Sequence, residues 1–109
     1  MIRIRVKGRP DRIEGFLIWG HARYAPYGRD VVCAGVSAVA TTALMWLVRR
    51  FPGDVRWAML PQGLMYCRVS GGIQGDGARE AQAILEAMVL GLDEIRQKHT
   101  NSIDLAFRR

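Results

Sequence analysis

Val31-Val32-Cys33-Ala34-Gly35-Val36-Ser37-Ala38-Val39-Ala40-Thr41-Thr42-Ala43-Leu44-Met45-Trp46-Leu47-Val48 contains no charged residue. Whether this run crosses a membrane or lies in a core decides the fold. Its length is at the lower edge of a bilayer span, which takes roughly 17–25 residues. Alanine dominates it, however, and Gly35, Ser37, Thr41 and Thr42 dilute it. A helix apolar on all sides is most simply a buried one. The run therefore predicts a core helix, with no membrane partner. Asp30 is the expected N-cap, and Arg49-Arg50-Phe51-Pro52-Gly53 stops the helix with two arginines facing its negative end.

The flanking segments supply a sheet. Ile13 to Trp19 is apolar on both faces at Phe16, Leu17, Ile18 and Trp19, which predicts an interior strand. Before it, Ile2, Ile4 and Val6 alternate with Arg3, Arg5 and Lys7, the period of a half-buried strand, and Gly8-Arg9-Pro10-Asp11 is turn chemistry. Beyond the helix, Val55, Trp57 and Met59 begin a third strand. Pro61-Gln62-Gly63 turns the chain, and Leu64 to Ser70 returns as the fourth. Asp76 is the expected cap of a second helix with the stripe Ala81, Ile84, Leu85, Met88, Leu92 and Ile95, and Glu94 and Lys98 form an i,i+4 pair. Ile103, Leu105 and Phe107 alternate in a fifth strand. The order ββαββαβ predicts an α/β (α+β) two-layer sandwich, a mixed sheet of about five strands with two helices on one face. Residues 1–109 are read as a single domain, long enough for its own core.

Composition narrows the chemistry. The 16 basic and 10 acidic residues give +6, with Arg3, Arg5, Lys7, Arg9 and Arg12 crowded against Asp11 at the start. Such charge suits RNA or an acidic partner, but no recognition-helix, zinc-finger or stacking-platform pattern accompanies it, so no specific nucleic acid is required. Two cysteines are too few for a disulfide framework. Met1 leads straight into a strand pattern with no apolar leader, which predicts a cytoplasmic, reducing location. Gly71-Gly72-Ile73-Gln74-Gly75-Asp76-Gly77 lacks the order of a dinucleotide fingerprint and the lysine of a phosphate loop, and the His and Cys residues lack paired ligand spacing. No cofactor or metal is expected.

One constellation remains. His21 follows Gly20 where the second strand ends, and Cys33 lies in the first turn of the apolar helix. A thiol attacks as its thiolate, which an adjacent imidazolium and the positive end of a helix both favour. The segment offers both, so strand end and helix start at one rim would suit a Cys–His dyad. Unpaired amides of the first turn, that of Cys33 included, would serve as an oxyanion hole. Asp30 either orients His21 or only caps the helix. Ser37, one turn after Cys33, either supports the site or bonds its own backbone. The alternative for the pair itself is an inert core cysteine and a turn histidine. Arg23 to Arg29 is expected to be a mobile flap, with Tyr24 and Tyr27 for apolar contact, Pro26 breaking regular structure, and Gly20 and Gly28 bracketing it. Cys67 is read as core and His99 as a helix-end cation.

The stretch Gly20-His21-Ala22, then Gly28-Arg29-Asp30-Val31-Val32-Cys33-Ala34-Gly35-Val36-Ser37, resembles the signature of the Prp family of ribosomal-processing cysteine proteases. The resemblance extends over the whole chain, including the basic first strand, Gly91-Leu92-Asp93-Glu94-Ile95 and the closing Ile103-Asp104-Leu105. It implies that His21 and Cys33 are the catalytic dyad of a thiol protease. The implied substrate is the N-terminal extension of large-subunit ribosomal protein twenty-seven, cut after an aromatic residue and before a small one. It also implies a homodimer, for which the helix residues Val39, Ala43 and Trp46 are the expected contact. The rival reading is a non-catalytic basic factor associated with the ribosome or RNA.

Overall fold

The computed structural model describes residues 1–20, 29–61 and 63–109, with the backbone alone at Arg29 and Asp30. The elements run β1 (Ile2–Arg9), β2 (Arg12–Trp19), α1 (Arg29–Arg50), β3 (Val55–Met59), β4 (Met65–Val69), α2 (Asp76–Lys98) and β5 (Ile103–Arg108). Their order is the expected ββαββαβ. The strands form one sheet in the order β3-β4-β2-β1-β5. β5 lies parallel to β1, and the other neighbours are antiparallel. β2 is the central strand, as its apolar character on both faces requires.

Both helices cover one face of the sheet. Ile2, Ile4 and Val6 from β1 and Ile13, Phe16 and Ile18 from β2 are buried there, together with Met65 and Cys67 from β4. Against them α1 sets Val32, Val36, Ala40, Ala43, Leu44 and Leu47, and α2 sets Ala81, Leu85, Met88 and Leu92. Each large aliphatic side chain so buried is worth about 1.5–3 kcal/mol. α1 is long and apolar enough to cross a membrane, yet these residues make it the main helical half of this core. The helices are antiparallel and packed together: Gly35 faces Ile95, and Gly91 faces Val39, where a Cβ would lie only 3.3 Å from a Val39 methyl.

Several local details differ from the sequence reading. α1 opens at Arg29, one residue ahead of Asp30, so Asp30 lies within the first turn and is not the cap. An acid anywhere in that turn still meets the positive end of the helix. Asp76 likewise is the first residue of α2. The N-cap is Gly75 at φ 65°, with no side-chain cap bond, because only a residue without a Cβ takes that backbone cheaply. At the other end of α2, Arg96 and Gln97 both donate to Asp93, in place of the expected Glu94–Lys98 pair. β1 continues through Gly8 and Arg9, with a register shift after Lys7. Where β2 runs past the end of β4, the Ile13 N–H donates to Gln82 Oε1 at 2.8 Å and Gln82 Nε2 donates to the Ile13 carbonyl at 2.6 Å. One glutamine thus answers two ladder groups that would otherwise be unpaired.

Candidate active site

Cys33 is the fifth residue of α1. It is half-buried and packed against the core, between buried Val32 and exposed Ala34. The early opening of α1 corrects one expectation. In a helix that begins at Arg29, the N–H of the fifth residue already points to the carbonyl four residues back. The unpaired amides are therefore those ahead of Cys33, and not its own.

A chain of contacts fixes where Cys33 lies relative to the end of β2. Gly20 closes β2 at φ 93°, and a Cβ there would lie 2.3 Å from the Met1 carbonyl oxygen. Next to Met1, the Ile2 N–H donates to the Ser102 carbonyl, and the Ser102 N–H donates to that of His99. His99 is the C-cap of α2, and Ile95 in the last turns of α2 meets Gly35, two residues after Cys33. Strand end and helix start thus share one rim of the sandwich. The β3–β4 turn is on the same rim, since Met59 pairs with Met65 and Met65 with Ile18. Among the described residues, the large apolar side chains exposed at that end are Met1, Val31, Met59 and Leu60.

His21, Arg23, Tyr24, Pro26, Tyr27 and Gly28 lie outside the described residues, as do the side chains of Arg29 and Asp30. The expectations for the dyad histidine, for the flap and for Asp30 as its orienter fall there. Ser37 is half-buried, one turn after Cys33 on the same side of α1. His99 is exposed at the end of α2.

The second cysteine behaves as core. Cys67 is 1% exposed in β4, and burial pushes its thiol up to about 12. At neutral pH it is fully protonated and shielded, whereas Cys33 reaches the surface. Iodoacetamide at pH 7.5 is expected to modify Cys33 and spare Cys67 in the folded protein, read by peptide mapping. Equal labelling of Cys67 without unfolding would contradict the assignment of the two thiols.

The expected dimer contact changes on inspection. Ala43 is 3% exposed beneath the helices, and Val39 is half-buried against Gly91. The sheet and α2 together cover more of α1 than the sheet alone could. The stripe that α1 turns outward is Ala34, Ala38, Thr42 and Trp46, with Trp46 37% exposed.

Comparison with known proteins gives a consistent result. The family model described as cysteine protease Prp matches residues 1–104. The ribosomal processing cysteine protease Prp of Bacillus subtilis is 28% identical over 111 aligned positions, 94% of each chain. A crystal structure of the essential ribosomal processing protease Prp from S. aureus, in complex with a substrate peptide, superposes with a TM-score of 0.81 at 24% identity, covering 99% of this chain and all of that one. A second structure of that protease, with a covalently linked product peptide, gives 0.79 at 24% identity over the same shares.

Proposed function

We propose that this chain, which belongs to the Prp family of cysteine proteases, cuts peptide bonds with Cys33 as nucleophile and His21 as its base. The membership makes it an enzyme, and the non-catalytic reading of its basic charge falls. The observation that carries the assignment is the position of Cys33: half-buried in the opening turns of α1, on the rim where β2 hands the chain to His21. Cys67, buried and held protonated, is no rival.

The chemistry then runs through two transfers. His21 takes the Cys33 proton as the sulfur attacks the scissile carbonyl, forming a C–S bond. The imidazolium returns that proton to the amine as the C–N bond breaks. Water, deprotonated by the same histidine, hydrolyses the thioester and frees the second product. The open amides of the α1 first turn, ahead of Cys33, receive the oxyanion without any side-chain donor. Asp30, in that turn, serves as orienter of His21, and Ser37 as a supporting group one turn further on.

The substrate under this reading is the N-terminal segment of large-subunit ribosomal protein twenty-seven. The relatives named as ribosomal processing proteases support it, as does the related structure holding a substrate peptide. Met1, Val31, Met59 and Leu60 provide an apolar surround for an aromatic side chain before the cut. Arg23, Tyr24, Pro26, Tyr27 and Gly28 form the flap that closes over it. The protein works in the cytoplasm as a homodimer, with the stripe around Trp46 as the place to look for the contact.

The test is incubation with the host's own ribosomal protein, reading the new N-terminus, beside a synthetic peptide of the same segment. Cleavage is expected at one bond, after an aromatic residue. Replacing that residue with Asp should slow cleavage by about a hundredfold or more, because an apolar pocket cannot solvate a carboxylate. An Asp peptide cut as fast as the parent would overturn the substrate reading while leaving the Cys33 chemistry standing.

A further inference from the structure

Among the described residues, the helices cover one face of the sheet and no element covers the other. On that open face the strand registers align Arg56, Arg68, Gly15, Lys7 and Arg108 in a single row across all five strands. Arg56 pairs with Arg68, Gly15 with Arg68 and with Lys7, and Lys7 with Arg108. Like charges directly opposite one another destabilise a sheet. Here two such pairs stand in one row, with the buried Gly15 between them contributing no side chain. Among the described residues, the carboxylates that meet this face are Glu14, 3.6 Å from Arg68, and Asp104, which is held by Arg5 at 2.8 Å and Arg3 at 3.6 Å. The six cations of the face outnumber them by four.

The neighbouring rows are of a different kind. Tyr66 pairs with Leu17 and Leu17 with Arg5, while Trp19 pairs with Arg3. Tyr66 and Trp19 are both half-buried, and the Arg5 guanidinium lies 5.6 Å from the centre of the Trp19 ring. Aromatic faces beside a line of cations at strand spacing, about 4.8 Å per strand, suit a chain of phosphates carrying flat bases. An acidic peptide would satisfy the charge but leave the Tyr66 ring without a use, the Trp19 ring already carrying Arg5.

We infer that the open face of the sheet is a docking surface for single-stranded RNA, with the row Arg56, Arg68, Lys7 and Arg108 on its phosphates and Tyr66 and Trp19 beneath its bases. The contact is sequence-independent, since a row of cations reads no base edge. It lies on the side of the sheet opposite α1, so RNA bound there leaves Cys33 open to peptide. RNA binding on this face does not depend on which bond the enzyme cuts.

The experiment uses a fluorescent twelve-nucleotide oligouridine and the full-length protein, with Arg56→Gln, Lys7→Gln and Arg108→Gln combined. Arg68 is kept so that Glu14 is not left alone. The parent should bind the oligonucleotide at low salt, with affinity falling steeply as salt rises. Removing three phosphate contacts should lower the slope of log K against log salt by about 2, and the affinity at 0.1 M salt by about a hundredfold. The variant should cut a short peptide at the parent rate, and should melt at the parent temperature or above it because repulsion in the row is relieved. Tyr66→Ala should weaken RNA binding without changing the salt slope. RNA affinity that is unchanged in the triple variant, or absent in the parent at low salt, would overturn the inference. So would a polyglutamate peptide that binds more tightly than the oligonucleotide and loses affinity in the same variant.

Discussion

Cys33→Ala is expected to abolish peptide cleavage, by about a thousandfold or more, while the protein remains folded. Loss of one half-buried thiol, with the remaining methyl at a good helix position, removes little packing, so melting should stay close to that of the parent. The loss lies in the chemistry, because no water in the site matches a thiolate held against the scissile carbonyl. His21→Ala should fall to a similar residual rate. The double variant should be no worse than either single one, since a nucleophile and its base act as a unit. Rates and circular dichroism on the three variants decide the matter. Cleavage that survives in Cys33→Ala would remove Cys33 from the mechanism, and losses that multiply in the double variant would separate His21 from it.

Gly15→Val should prevent folding altogether. Gly15 lies in the central strand, paired with Lys7 on one side and Arg68 on the other. A Cβ there would stand 2.1 Å from the Cys67 carbonyl oxygen and 3.0 Å from the Arg68 Cα. Both obstacles are backbone in the neighbouring strand, so neither can rotate away. Relief requires β4 to separate from β2, and with it β3, which pairs with β4 alone. The cost exceeds the ordinary range of about 0.5–3 kcal/mol for single substitutions and is comparable with the stability of a small domain. The expected result is insoluble protein, or a chain with no cooperative thermal transition. Gly71→Ala, at a turn where nothing lies within 4 Å, is the control and should melt like the parent. A cooperative, parent-like melt of Gly15→Val would show that the β2–β4 pairing is looser than its register implies.

These two positions differ in how far the sequence alone reaches. Cys33 was legible because its signal is local: a thiol early in a charge-free helix, a histidine just before the loop, and a motif of fixed spacing around both. Gly15 gave no such signal. One glycine within Ile13 to Trp19 reads as an interruption of a strand, and only the approach of β4 shows why a side chain cannot stand there. Gln82 was equally silent, a polar residue on a helix until β2 was found to outrun β4 and leave the Ile13 backbone without a strand partner on that side.

Periodicity decided the elements. Alternation at Ile2, Ile4 and Val6, and spacings of three and four from Ala81 to Ile95, reflect which side of a local segment is dry, and each segment carries that record in its own residues. The doubly apolar β2 even announced its central place. Helix starts were less legible, by two residues in α1 and one in α2, because an acid stabilises the first turn from the cap or from inside it. The order β3-β4-β2-β1-β5, the parallel docking of β5 on β1, the burial of Ala43 under a second helix and the alignment of Arg56 with Arg108 across the sheet came from the tertiary structure. They depend on which distant segments bury one another's apolar faces, and that choice is made by the whole core at once, with no trace in the period of any single strand.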